Sequence, residues 1–552
     1  ANTIVFIKRI FQSSPHISFP FFPIVFFSIK ILLVATLHRA HLKSMAAPPN
    51  PPHGGAPDYE ELVSRSRNLL FPADEMIREL LRSLDNRIES AQEPDVRAAM
   101  AAHAAAARPV VHSEVLAFMA KFIAHKRGAG GTPIERALYA TLTVDALVAR
   151  LLRERPLMFM NPSDQFVLKS GEYGDYGAAD FDAIGTAAEA PPFQLASLIS
   201  YDEMQLSALI GVASPCHFIN TGGRGNQGRG APGPGAHEPT GVYVGQVGCR
   251  FEREHRMEWQ HMVVDPVQNV SVNGYGVGPV AGGGPGSVKR AILMEWASLY
   301  RTANFPLHAS VVAAWDANVT GARARWVPIQ EWNPQRRFFD LAAFQGRCII
   351  LAKSFLLEAN YRAALKSAEE GRVVRAYCHA VGLGLGVWNV APQQRFILID
   401  AFKHAVEECD LPFVSEIDFA WMQERETGLP WSCGGVAVSR STGDATLRST
   451  RFATNAVTFR FSKRDPADPL VGPHEGKLLV AQFAWDSNAY VGNEYWSGML
   501  AASGDPAAAC CSTIAELFVP EINPAAMTLR GSVDERSAGM SCAAGQVTDP
   551  DL

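Results

Sequence analysis

Three stretches of this sequence bring glycines, carboxylates and amides together at spacings that could hold or transform a polar ligand. In the first, an apolar run, Val373-Val-Arg-Ala-Tyr-Cys-His-Ala-Val381, leads into Gly382, Gly384 and Gly386, and then into Trp388. Glycines let a backbone approach an anion closely, and loop amides ahead of a helix can point at a phosphate. The GxGxG spacing, with Asn389 to Pro392 delaying the helix, matches neither the dinucleotide fingerprint nor a Walker sequence. The competing reading is a tight turn that needs positive φ at one or two of the glycines. A later strand ending in Glu416-Ile-Asp418 adds Asp418 to this ligand-binding set.

The second stretch is His261-Met-Val-Val-Asp-Pro-Val-Gln-Asn269, followed by Asn273-Gly-Tyr-Gly276. A strand ending in Asp265, with Gln268 and Asn269 beyond it and Gly274 and Tyr275 after, places polar groups at the carboxyl edge of a sheet. Asp265 could accept from a ribose hydroxyl or an adenine amino group, or orient a water. It could equally belong to an Asx-type turn that satisfies loop amides. The third stretch is Leu478-Leu-Val-Ala-Gln-Phe-Ala-Trp-Asp486, continuing to Asn488, Asn493, Glu494 and Trp496. Polar groups between two tryptophans suit a sugar and a base, and Glu494 among apolar neighbours is a candidate general acid. Asp505 before Pro506 reads as a helix cap. His255, His261, His308 and His379 lack metal-ligand spacing, and there is no GxSxG elbow.

The elements that must position these residues fall into regions. Residues 21–37 form an apolar stretch that could pass for a signal peptide or a marginal membrane helix. The first methionine is Met45, however, and a proline-rich start follows it, so residues 1–44 are expected to be upstream sequence rather than native chain. Residues 45–58 read as a disordered linker and 59–158 as a helical accessory region, with Thr132 and Pro133 as a helix start. Residues 160–525 alternate strands and helices, which predicts a parallel or mixed sheet, and 526–552 read as a disordered tail. In that domain strands are expected at 242–251, 261–264, 373–381, 413–419, 457–461 and 478–485, and helices at 288–300, 393–408 and 506–517. A net charge of −5 argues against a nucleic-acid partner, and nine cysteines without CxxC pairs argue for a reducing, cytoplasmic or nuclear setting. No membrane partner is expected unless residues 1–44 are native.

In this order the pieces resemble the poly(ADP-ribose) glycohydrolase-like branch of the macrodomains. Val263-Val-Asp-Pro-Val-Gln-Asn269 with Gly282-Gly-Gly284 looks like the polar loop and glycine run of that family, and residues 382–388 look like its diphosphate loop. Residues 486–496 and 503–509 are similar to a divergent, MavL-like group. The resemblance covers residues 160–525 and implies a three-layer α/β/α macrodomain-like mixed sheet behind the N-terminal helical region. It also implies ADP-ribose or ADP-ribosylated protein as partner, with no cofactor and no metal required. Hydrolysis would run through an oxocarbenium-like state with Asp265, Asp486 or Glu494 as catalytic carboxylates. The implied ligand contacts are Gln268, Asn269, Gly274, Tyr275, Gly382, Gly384, Gly386, Trp388, Asp418, Asn488 and Asn493. Where the standard glycohydrolase carries two adjacent glutamates, this chain has Ser287-Val-Lys-Arg290, and the nearest acid is Glu295. The alternatives are therefore a non-catalytic reader of ADP-ribosylated partners, or a scaffold whose glycine loops are only turns.

Overall fold

The computed structural model describes residues 57–543, apart from residues 92, 161–163, 176–180, 224, 232, 234, 252, 278–284, 330–334, 387, 423–431, 434–435, 438–444, 486–487 and 501–513. The expectations for residues 1–44 and most of the linker, for Gly282 to Gly284, Asp486 and Asp505 lie outside the described residues.

The chain folds around an eight-stranded sheet. Its strands in chain order are β1 Arg108–Val110, β2 Gly211–His217, β3 Thr240–Gln246, β4 Ala376–Ala380, β5 Val414–Phe419, β6 Ala445–Arg448, β7 Ala456–Arg460 and β8 Leu478–Ala484. In space the order is β1-β2-β3-β8-β4-β5-β7-β6. Strands β3, β8, β4, β5 and β7 are mutually parallel, and antiparallel β1, β2 and β6 finish the two ends. The sheet is therefore mixed, and its five parallel strands deliver their carboxyl ends to one edge.

The helices that matter below are α1 Tyr59–Arg67, α2 Glu75–Arg82, α3 Pro94–Ala106, α4 Ser113–Arg127, α5 Pro133–Tyr139, α6 Val144–Arg153, α7 Tyr201–Ser207, α8 Pro285–Leu299, α9 Leu341–Glu370, α10 Gln393–Glu408 and α11 Val533–Ala543. Thr132 and Glu135 form the capping box at the start of α5, with Pro133 in its first turn. Helices α9 and α10 cover one sheet face, where the rings of Phe355, Phe402 and Phe419 pack in sequence. The opposite face of β4 and β5 is polar: Tyr377 and His379 stand beside Glu416 and Asp418 in register. It is met not by a helix but by side chains of the run between β7 and β8, where Arg464 and His474 lie against Tyr377. An apolar helical stripe would offer those carboxylates no partner, whereas the run between β7 and β8 supplies Ser462 to Asp418 Oδ2 and Lys477 to Glu416.

Helices α4, α5 and α6 share the main core, which runs from Ala107 to Val533, whereas α1 and α2 pack in a second cluster with Tyr490, Tyr495, Trp496 and Leu517. Within this region β1 is an edge strand of the sheet. Its Arg108 donates to Glu358 of α9 at 2.8 Å. The strand expected at 261–264 is instead a helical turn, Trp259–Met262, and a two-residue strand, Val263–Val264. That strand belongs to a separate three-stranded sheet with Trp326–Pro328 and Phe338–Asp340. Trp259, His261 and Met262 are all buried, so no period of two or 3.6 shows in this stretch. The region expected as a tail continues into α11, where Ser537 accepts from Asn360 of α9 at 2.8 Å. Among the described residues no helix is long and apolar enough to cross a membrane.

Candidate active site at the carboxyl edge

The adjacent strands β3, β8 and β4 end in a buried amide chain. Gln482 Nε2 donates to Gln246 Oε1 at 2.7 Å, and Gln246 Nε2 donates to the Leu351 carbonyl of α9 at 3.0 Å. Gln482 Oε1 accepts from the Val381 amide at 3.1 Å, which fixes the start of the glycine loop. Neither glutamine was a candidate from the sequence. The available signal was one glutamine near the end of each of two otherwise apolar strands.

Beyond Val381 the chain turns twice, Leu383 donating to the Val381 carbonyl and Leu385 to that of Gly382. Gly384 sits at φ +71°, and Gly248 from the loop after β3 packs against it. A Cβ on Gly248 would lie 2.9 Å from the Gly384 nitrogen, so the two loops meet backbone to backbone. At Gly386 a Cβ would meet nothing within 4 Å. Among the described residues nothing accepts from the amides of Gly384 and Gly386. The start of α10, by contrast, is closed by its own Gln394, whose Oε1 accepts from Val390 and Ala391. Trp388 is almost buried, with the Arg250 guanidinium 5.5 Å from its ring centroid. Beneath the Gly248 loop, Glu258 takes Arg250 N at 2.9 Å and Arg347 Nε at 3.3 Å. Burial raises the Glu258 carboxyl against the pull of Arg347.

The loop after β8 carries Asn488, Asn493 and Glu494, all buried. Asn488 Oδ1 accepts from Ser207 Oγ at 2.9 Å. Asn493 opens a single helical turn, and among the described residues neither its Oδ1 nor its Nδ2 has a hydrogen-bond partner. On β5, Asp418 Oδ2 accepts from Tyr377 and Ser462, each at 2.7 Å, while its buried Oδ1 has no partner among the described residues. His379 faces Asp418 in register, and burial holds its imidazole down at about 4 despite that neighbour.

The Asp265 group follows the Val263–Val264 strand of the smaller sheet. Asp265 Oδ2 is 2.6 Å from Arg337 Nε, and Oδ1 accepts from the amides of Val267 and Gln268. Asn269 Oδ1 accepts from Asp265 N and from Gln268 Nε2, and Asn269 Nδ2 donates to the Pro306 carbonyl. Arg290 of α8 holds the carbonyls of Gly274 and Tyr275. Among the described residues no hydrogen bond joins this loop to the glycine loop after β4 or to the loop after β8. The structure thus unites residues 382–388 with the ends of β3 and β8, and keeps the Asp265 group on the smaller sheet. No set of three or more His, Cys, Asp and Glu side chains among the described residues could hold a metal ion.

This is the architecture of a mixed-sheet α/β protein whose glycine-bearing and polar loops converge on the carboxyl edge of its parallel strands. The family described as ADP-ribosylhydrolase MavL-like matches residues 83–533, and the chain belongs to it. The match begins well before residue 160, so it takes in most of the N-terminal helical region. The chain is 32% identical over 440 residues to ADP-ribosylarginine hydrolase CG2909 of Drosophila melanogaster, covering 78% of this chain and 79% of that protein. It is 34% identical over 425 residues to ADP-ribosylarginine hydrolase CG3568 of the same species, covering 76% of each.

Proposed function

We propose that this chain hydrolyses ADP-ribose from modified arginine side chains, in a macrodomain-like site at the carboxyl edge. The observation that carries this is a pair of amides, at Gly384 and Gly386, that no described residue accepts from, in a loop pinned by Gly248 and Gln482. Backbone donors of this kind suit a diphosphate. Family membership and the names of the two Drosophila relatives support the substrate class. In this reading Trp388 flanks the nucleotide, and Asn488 and Asn493 contact the distal ribose. The unpartnered amide of Asn493 then gains partners from hydroxyls. Asp418 offers its open Oδ1 as an acceptor one strand away. Glu494 and Asp486 are the carboxylates assigned to chemistry. One holds ribose hydroxyls and a water, and the other protonates the departing guanidine as the N-glycosidic bond opens through an oxocarbenium-like state. Glu295 is engaged at the surface by Lys121 at 2.6 Å. Asp265, Gln268, Asn269, Gly274 and Tyr275 enter as the framework of a neighbouring loop.

The test is calorimetric titration of ADP-ribose, with AMP and NAD as comparison ligands, alongside release of ADP-ribose from an ADP-ribosylated arginine peptide. Gly384→Asp should weaken ADP-ribose binding more than about 100-fold while the protein stays folded. A flat titration of folded wild type would remove the ligand reading. Saturable binding without turnover would make the protein a reader of ADP-ribosylated partners.

A further inference from the structure

Arg155 follows α6 and is only 2% exposed. Among the described residues no carboxylate lies within ion-pair distance of it, and burial lowers its guanidinium to about 9. Its nitrogens donate instead to three carbonyls on three separate elements. Nε reaches Leu151 of α6 at 2.5 Å, and the terminal nitrogens reach Ser207 at the end of α7 (3.1 Å) and Ala489 after β8 (3.4 Å). The guanidinium also lies 4.1 Å from the Trp485 ring centroid. A buried cation without a counter-charge is costly, and a methionine would fill similar space. Packing alone therefore does not account for arginine here. What a guanidinium adds is a rigid planar fork that can hold several carbonyls at once.

Two of those three anchors belong to the proposed site. The Ala489 carbonyl also accepts from Trp485 Nε1 at 3.1 Å, which closes the loop after β8 on itself. Ser207, whose carbonyl Arg155 holds, donates its hydroxyl to Asn488. The neighbours of Arg155 grip the same loop: Tyr490 N donates to the Pro156 carbonyl at 2.9 Å and Tyr490 OH to that of Arg153 at 2.8 Å.

We propose that Arg155 is a positioning residue for the hydrolysis, holding the loop after β8 so that Asn488 and the Asn493–Glu494 turn are set against the bound ADP-ribose. The N-terminal helical region then completes the active site instead of merely packing beside it. This inference rests on the hydrolase reading above, and it predicts a separation of rate from affinity. The diphosphate is held by the loop after β4, which Arg155 does not touch, whereas the ribose end depends on the loop after β8.

The experiment compares wild type, Arg155→Lys and Ser207→Ala in hydrolysis of an ADP-ribosylated arginine peptide, in calorimetry with ADP-ribose, and in thermal melting. A lysine keeps the charge, but its single ammonium cannot reproduce the planar fork. Arg155→Lys should lower kcat about tenfold or more, with the ADP-ribose Kd within about threefold of wild type. Ser207→Ala, which removes the hydroxyl that bonds Asn488 and the Met204 carbonyl of its own helix, should lower kcat about threefold with the same unchanged Kd. Wild-type kcat in Arg155→Lys overturns the proposal, as does a parallel loss of kcat, Kd and melting temperature. Should Arg155→Lys fail to fold, wild-type kcat in Ser207→Ala overturns it alone. Absence of turnover in wild type itself would instead refute the hydrolase reading.

Discussion

Asp265 is wholly buried, with one oxygen on Arg337 and the other on the amides of Val267 and Gln268. A carboxylate satisfied in this way can act on a substrate only after breaking bonds that organise its own loop. Asp265→Ala should therefore cost about 3 kcal/mol of stability, because it leaves the nearly buried Arg337 with only the exposed Glu254. Asp265→Asn keeps an acceptor for the two amides and should cost roughly half as much. Urea unfolding of both variants checks this. Wild-type stability together with lost turnover would move Asp265 from the framework into the chemistry. The residue types at 265–269 left both outcomes open, because an Asx turn and a ribose-binding edge ask for the same Asp and Asn. What weighs toward the turn is Arg337, a partner 72 positions away that no local pattern reveals, and the turnover of the variants is what separates the two.

At the level of elements, legibility followed amphipathicity. Helix α10 lies where a stripe-like pattern puts it, to the residue, and strand β8 where a short apolar run does, to within one. The 30-residue α9 went unread because its buried positions surround the helix, leaving no polar stripe to report a period. Its placement turns on Gly346, where a Cβ would stand 1.9 Å from the Tyr300 carbonyl oxygen. Helix propensity alone would make Gly346→Ala stabilising by about 1 kcal/mol. The contact is with backbone, which cannot swing aside, so overpacking should win and the variant should lose about 3 kcal/mol. A melting temperature at or above wild type would show that α8 and α9 can separate without loss. The same limit hid the β3–β8–β4 glutamine chain, since strand order is not written in any one strand. The glycine loop could be read as a loop, whereas its contact with Gly248 could not.

Across the whole molecule, histidines buried as neutral rings contribute a loss of stability between neutral and mildly acidic pH. Burial lowers His103 to about 3, with His217 beside it, His261 to about 3 between Phe305 and Trp296, and His379 to about 4. Their ordinary value is 6.5, so below that pH the unfolded chain takes up protons that the folded chain refuses. Stability from this source is present above pH 6.5 and is lost as pH falls toward the folded values. Between about pH 7.5 and 5.5 each ring should withdraw about 1.4 kcal/mol, or about 4 kcal/mol together. Glu258 and Glu516 are raised by burial and work in the opposite sense, so the total slope alone does not isolate the histidines. Substitution does: His103→Gln removes one titrating ring and should reduce the loss in urea-unfolding free energy over that interval by about 1.4 kcal/mol, whatever it does to absolute stability. An unchanged interval would mean that His103 takes up its proton in the folded chain as readily as in the unfolded one, and that the packing of α3 against β2 tolerates a charge.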